Sequence, residues 1–585
     1  MAKKNTEKIK IWGIVQGVGF RPYVAKVAER YRMKGEILNI GGLVEIVLTD
    51  TEKHITEFIK ELEINKPAPA EIVNIARTKE EYREFKKFTI LQSDEGNRDA
   101  AMIPADLAIC PDCLKEMRDS TNARYEHPFI SCMVCGPRYT IIDKFPYDRE
   151  NTSMVDFPMC DFCKSEYTDI NSRRYHAQTI SCHECGPQMD YKLYANHLSQ
   201  KTELEKAASL LKEGRVIAFK SMGGYNLIAN PFDASAVNDL RKIKNREEKP
   251  FAIMFESVEE VKKYCNAEET EEKLLKSSAR PIILLERKTI EELQDMKPSN
   301  YDEIAKSRFI GSFLPSMGAQ YMLLNLFGGP LIVTSANISG MPIIKGNKEM
   351  FELMEKESLI AETFYNHRKI RVSVDDSVVR VIDGQPQMIR RSKGYAPVPL
   401  YLEGAEGEVL AVGSQLKNSF SVSKGSFAYM SQYFGNMDTV ENQKIYEENV
   451  ERMEKLFRIK PQKIVCDMHP LYFTTKYAES YAKENGLPIL KVQHHHAHIA
   501  SVIAEHALKG KIIGVSFDGT GYGTDGAIWG SEILICQGIE FERLGHLKYV
   551  DMIGGDESMK EGWKSALSYI HEMKNDEDKL ELVLN

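Results

Sequence analysis

Eight of the eleven cysteines stand in four Cys-x-x-Cys pairs: Cys110/Cys113, Cys132/Cys135, Cys160/Cys163 and Cys182/Cys185. The gaps between pairs are 18, 24 and 18 residues, and the last two pairs repeat the first two at an offset of 50. Both halves end in Cys-Gly-Pro, at Gly136-Pro137 and Gly186-Pro187. Two residues between thiolates let both sulfurs reach one tetrahedral ion from a tight turn, and a second pair closes the shell. In a large chain without a secretory signal this spacing favours metal over disulfides. The array therefore predicts two structural zinc ions, one per half, and a module over residues 100–190 that folds around metal in place of a hydrophobic core. The unpaired Cys265, Cys466 and Cys536 are expected as small buried apolar residues.

The other 500 or so residues must supply the remaining domains, and a 585-residue chain with 43% apolar and 28% charged residues suits roughly four globular ones. A net charge of −8 gives no global attraction to nucleic acid or anionic membrane. No apolar run approaches the ~20 residues of a membrane helix, and the start lacks an apolar signal core. A cytoplasmic protein that meets neither nucleic acid nor membrane is the expectation.

Residues 1–93 read as β-α-β-β-α-β, the split βαβ sandwich of ferredoxin-like folds. Gly17 and Gly19 follow the first strand, Pro22 opens a helix, and Gly41-Gly42 separates two strand-like runs. Backbone amides at such a strand-to-helix turn form an anion nest, and Arg21 can fork onto the same anion. A tight turn alone would also explain the glycines. The whole string Val15-Gln16-Gly17-Val18-Gly19-Phe20-Arg21, however, resembles the acylphosphatase signature. That resemblance makes Arg21 the phosphate-binding arginine and Asn39 the water-orienting asparagine, and implies hydrolysis of an acyl or carbamoyl phosphate. Arg21 is expected at the head of an exposed loop.

Residues 200–395 alternate strands and helices, as an α/β domain does. Lys242, Lys244, Arg246 and Lys249 cluster in one stretch, which by composition could equally be a solvated helix face. With Thr334-Ser335-Ala336-Asn337 and Arg390-Arg391-Ser392-Lys393-Gly394 the set resembles the YrdC family, which activates a carboxylate or carbamate with ATP. By that resemblance Lys242, Arg246, Lys249, Ser335 and Asn337 contact nucleotide, as ATP with magnesium, or the activated acid. A linker over 394–407 leads to a last domain at 405–585. There His494 and His498, spaced i, i+4 within His494-His495-His496-Ala497-His498, share a helix face and suit one ion. A histidine tract on the surface is the alternative. Asp518, in a glycine-rich segment after a strand, is a candidate third ligand. This pattern resembles the carbamoyl- and threonylcarbamoyl-transferase branch of the actin-like ATPase fold, whose ligands hold a divalent metal at nucleotide phosphates.

The order of these four motif sets resembles the HypF family, the carbamoyltransferases of nickel–iron hydrogenase maturation. The resemblance implies a multidomain α/β and α+β chain with ferredoxin-like, zinc, YrdC-like and partial actin-like (first-lobe) domains. It also implies that carbamoyl phosphate and ATP yield carbamoyl adenylate, whose carbamoyl group passes to the C-terminal cysteine thiol of HypE, for cyanide ligand synthesis. The sequence ends inside the last domain, so a truncated transferase domain is expected. Two strings depart from the family pattern: Asn226 stands where histidine is usual after Gly-Gly-Tyr, and Leu314–Gln320 replaces a string with tyrosine and histidine. A carbamoyltransferase for small-molecule hydroxyls and a zinc-module nucleic-acid binder are the rival classes. The extra modules weigh against the first; the acidic balance weighs against the second.

Overall fold

The computed structural model describes residues 4–15, 18–40, 43–67, 70–91, 103–192, 200–246, 248–289, 301–559 and 561–572. The expected turns at Gln16-Gly17 and Gly41-Gly42 lie outside them. Among the described residues no helix is long and apolar enough to cross a membrane. The chain divides into two compact units. One comprises Met1–Cys466 with Tyr472–Ile489, the other Asp467–Leu471 with Leu490–Asn585.

The first unit opens with β1 (Asn5–Ile14), α1 (Phe20–Arg30), β2 (Gly35–Ile40), β3 (Leu43–Asp50), α2 (Glu52–Ile64) and β4 (Glu71–Glu80). This is the expected β-α-β-β-α-β order, with a short β5 (Phe88–Ile90) added in parallel beside β2. The sheet order β4-β1-β3-β2-β5 places β1 and β3 at the centre. Alternation along these strands turns Ile9, Ile11, Ile37, Ile46 and Leu48 onto one face. Val24 and Val27 of α1 and Ile55, Phe58 and Leu62 of α2 cover that face. The Thr51 hydroxyl caps α2 by accepting from the His54 amide.

The zinc module has almost no regular structure beyond two short helices, Pro111–Arg118 and Asp161–Thr168. The module is expected to fold around metal in place of a hydrophobic core, yet it also buries apolar residues. Met117, Phe129 and Ile130 of the first half belong to a core shared with Phe313, Met317 and Tyr321 of the α/β domain. Tyr139, Ile142, Phe145 and Tyr147 belong to another, shared with Leu410, Val412, Tyr429 and Tyr446. The module thus contributes to its neighbours' cores, and only the second half, with Ala177 and Ile180 among its cysteines, has a small cluster of its own.

The α/β domain is a ten-stranded mixed sheet whose middle runs Phe309–Phe313, Ala252–Met254, Leu331–Ser335, Tyr225–Ala229 and Val216–Lys220. Gln200–Lys212 and Gly318–Phe327 pack on it. The expected linker at 394–407 is partly structured, because Pro399–Tyr401 pairs with Phe427–Tyr429 as the edge of the next sheet. Strands Ser421–Lys424, Glu408–Ala411 and Lys463–Asp467 continue that sheet, and helix Val440–Phe457 buries Tyr446, Val450 and Met453 in its core.

In the second unit, helix His494–Glu505 packs on an antiparallel sheet of Ile512–Ser516, Glu532–Gln537 and Glu540–His546. Ile499, Leu534 and Cys536 form its small core. Cys265, Cys466 and Cys536 are all buried, as expected.

Candidate functional sites

Each cysteine quartet is gathered to one point, with no disulfide. In the first, Sγ–Sγ separations are 3.6 Å (Cys110–Cys132), 3.7 Å (Cys132–Cys135) and 3.7 Å (Cys113–Cys135). In the second they are 3.6 Å (Cys160–Cys182) and 3.8 Å (Cys182–Cys185). A tetrahedron with Zn–S bonds of ~2.3 Å has an edge of about 3.8 Å, so both quartets fit zinc. Cys110 and Cys160 stand at the N-caps of the two short helices, which brings Cys113 and Cys163 back toward them.

The halves exchange side chains across the repeat. Arg124 Nε donates to the Ser181 carbonyl (2.8 Å) and its guanidinium pairs with Glu166. Fifty residues on, Arg174 Nε donates to the Ser131 carbonyl (3.1 Å) and pairs with Glu116. Arg173 Nη2 lies 3.3, 3.4 and 3.5 Å from the sulfurs of Cys110, Cys113 and Cys132. A zinc centre with four thiolate ligands carries two net negative charges, which an arginine from the other half offsets.

Arg21 is not on an exposed loop, contrary to expectation. It is the second residue of α1, beneath the zinc module, with burial lowering its pKa and Asp148 opposing that shift. Gly19 caps the helix at φ +79°, and a Cβ there would come within 2.9 Å of Met133 Cγ. Glycine is thus demanded by both backbone and neighbour. A chamber of about 30 Å³ lies between Val15, Gly19 and Arg21 on one side and Met133, Arg138 and His176 on the other. Asn39, on β2 opposite Val44, is 4% exposed, and its Oδ1 has no hydrogen-bond partner.

In the α/β domain, Arg246, Lys249, Ser335 and Asn337 line one cavity of about 530 Å³. Lys242 does not: it is exposed on helix Ala234–Lys244 and pairs with Asp239 at 3.1 Å. The cavity receives Lys244 instead, because Val237, Leu240 and Lys244 share the buried helix face while Lys242 lies nearly opposite. Lys244 Nζ donates to the Ser335 carbonyl (2.6 Å) and to Asn337 Oδ1. Burial first, then Arg246, pushes the Lys244 pKa down to about 7, and burial pushes Arg246 down to about 10. Such a desolvated cationic cluster favours a polyanionic ligand. Arg390 and the loop Gln432–Asn436 of the following sheet line the same cavity. The two departing strings meet in an adjoining pocket of about 20 Å³, where Asn226, Ser316 and Gln320 lie with Asp376 and Lys393. There Lys393 Nζ donates to Ser316 Oγ at 2.9 Å.

At the histidines, the Nε2 atoms of His494 and His498 are 3.2 Å apart, and Asp518 Oδ2 lies 3.7 and 4.0 Å from them. These three atoms suit one divalent ion. Two neighbours escaped the sequence reading. Asp467 Oδ2 is 3.0 Å from His494 Nδ1, which directs the other ring nitrogen to the shared point and raises the His494 pKa. Buried His495 places Nε2 3.1 Å from Asp518 Oδ2, while the Gln493 amide holds its Nδ1 at 2.9 Å.

Family models match along the chain: acylphosphatase at 7–90, HypF finger at 109–142 and 159–191, and telomere recombination at 209–392. The HypF Kae1-like domain matches 404–505, and the second subdomain of the carbamoyltransferase Kae1-like domain matches 514–584. A carbamoyltransferase HypF of Synechocystis sp. is 39% identical over 97% of this chain and 73% of its own. A probable carbamoyltransferase HypF of Methanocaldococcus jannaschii is 38% identical over 98% and 74%. A crystal structure of full-length HypF in the phosphate- and nucleotide-bound form superposes with a TM-score of 0.90 at 40% identity, covering 97% of this chain and 74% of that one.

Proposed function

This chain belongs to the HypF family of carbamoyltransferases, and from that premise we propose that it draws the carbamoyl group from carbamoyl phosphate, activates it with ATP and passes it to the C-terminal cysteine of HypE. The four domains are read at 1–93, 100–190, 200–395 and 405–585. In the Arg21 chamber, the guanidinium and the amino end of α1 hold the phosphate, and Asn39, on β2 outside the lining of that chamber, is given the water-orienting role by the acylphosphatase resemblance. Water adds to phosphorus, the bond from phosphorus to the acyl oxygen breaks, and carbamate leaves with inorganic phosphate and a proton. The unpaired, buried Asn39 Oδ1 supports that role.

In the larger cavity, a carbamate oxygen attacks the α-phosphorus of ATP and pyrophosphate leaves. Lys244, Arg246 and Lys249 take up the triphosphate charge, and Ser335 and Asn337 fix its orientation. A thiolate of HypE then adds to the carbamoyl carbon and AMP leaves, forming the thiocarbamate from which cyanide is made. His494, His498 and Asp518 would hold a divalent metal, which supplies charge compensation for nucleotide phosphates. Asp467 and His495 keep two of those ligands aimed. Two zinc ions in the cysteine quartets keep the module folded.

The observation that carries this reading is the cationic set of buried Lys244 with Arg246 and Lys249 lining a nucleotide-sized cavity in the same unit as the Arg21 chamber. Pyrophosphate release from ATP tests it. Release that depends on carbamoyl phosphate is expected, and release at the same rate without it would overturn the reading.

A further inference from the structure

Besides Met133, Arg138 and Tyr147, the zinc module brings one short segment, ending in His176–Gln178, to the Arg21 chamber. Arg173 and Arg174 anchor that segment's start on the first half, through Glu116 and the three cysteine sulfurs. Three residues later His176 faces Arg21. Its backbone is left-handed at φ +53°, fixed by its amide donating to the Tyr167 carbonyl at 3.0 Å. Its ring packs on Tyr175 and Tyr167, with centroids 4.5 and 5.0 Å away. Gln178 completes the segment, its Oε1 accepting from the Arg149 amide (2.8 Å) and the Tyr167 hydroxyl (3.1 Å).

His176 also lines a second space. Beyond the inner chamber of about 30 Å³ lies an outer cleft of about 630 Å³, bordered by Asp148, Glu150, Met154 and Tyr167. Arg21, Ile90 and His176 border both. His176 is therefore the part of the zinc module that partitions them. The inner chamber is by far the smaller of the two spaces.

We infer that the segment Arg173–Gln178 is the selectivity wall of the acyl-phosphate site, admitting small acyl groups and excluding aromatic ones, and that the first zinc centre holds this wall through Arg173. The inference rests on Arg21 being the phosphate-binding arginine. His176 acts by contact, and Arg173 is a positioning residue.

The test compares kcat/KM for carbamoyl phosphate and benzoyl phosphate in the full chain, His176→Ala and Arg173→Ala, with zinc release to a chelating dye measured in parallel. The native chain should favour carbamoyl phosphate. His176→Ala should lower that preference at least ~10-fold, the scale on which pocket walls discriminate, with zinc release unchanged. Arg173→Ala should lower the preference and speed release of one of the two zinc ions. An unchanged preference in His176→Ala, which leaves every zinc contact intact, would overturn the inference while the phosphatase reading stands. Faster zinc release in Arg173→Ala with native preference would overturn the coupling to zinc. If the native chain hydrolysed neither compound, the phosphatase reading itself would fall and the inference with it.

Discussion

The Arg21 chamber and the histidine site are built in opposite ways. The chamber draws one wall from a ferredoxin-like sandwich and the other from two zinc knuckles, so its residues span Val15 to Gln178. The histidine site takes its ligands and their supports from Asp467 to Asp518, within one unit. The first is a composite whose integrity depends on how domains pack. The second is local, set by one helix face and the strand that follows it. Perturbations should therefore separate cleanly: one site should fail without the other.

Arg21→Ala should have the largest effect. Removing the main charge on the phosphate should cost about 10³-fold or more in carbamoyl-phosphate hydrolysis, while divalent-metal binding at the histidines, followed by calorimetry, stays native. Comparable losses at both sites would break the comparison. His498→Ala should do the reverse, weakening metal binding by orders of magnitude because two ligands remain, with hydrolysis of carbamoyl phosphate at the native rate. Loss of hydrolysis there would mean that the sites are not independent.

Smaller changes sharpen the same contrast. Asp467→Asn removes no ligand, yet should weaken metal binding ~10–100-fold, the usual effect of losing an orienting partner. Native affinity would reduce the Asp467–His494 contact to packing. Burial also supplies a pH signature in the Lys244 cavity. With its pKa lowered to about 7, Lys244 is protonated below that value and neutral above it. ATP affinity should rise as pH falls from 8 toward 6, by at most about ten-fold per pH unit for one proton, and Lys244→Gln should flatten that dependence. A profile unchanged by the substitution would remove Lys244 from the binding site.

What the sequence revealed follows the same division. The cysteine quartets and the His494/His498 pair were legible because their geometry is encoded by local spacing: two residues across a turn, four along a helix. The βαββαβ order was legible because β and α periodicities alternate over short runs. Lys242 was misplaced because a charge cluster carries no phase; the apolar positions Val237 and Leu240 supply it and point to Lys244. Asp467 and His495 were missed because one lies 27 residues before its partner and the other hides among three other histidines. His176 and Arg138 over Arg21 have no sequence signal at all, since only domain packing brings them there.

The central claim is that the Arg21 chamber supplies the carbamate consumed at the Lys244 cavity. The direct measurement is carbamoyl-phosphate-stimulated pyrophosphate release from ATP in Arg21→Ala, repeated with ammonium carbamate in place of carbamoyl phosphate. The stimulation should vanish with carbamoyl phosphate and return with carbamate, because only the first site is disabled. Native stimulation by carbamoyl phosphate in that variant would contradict the claim.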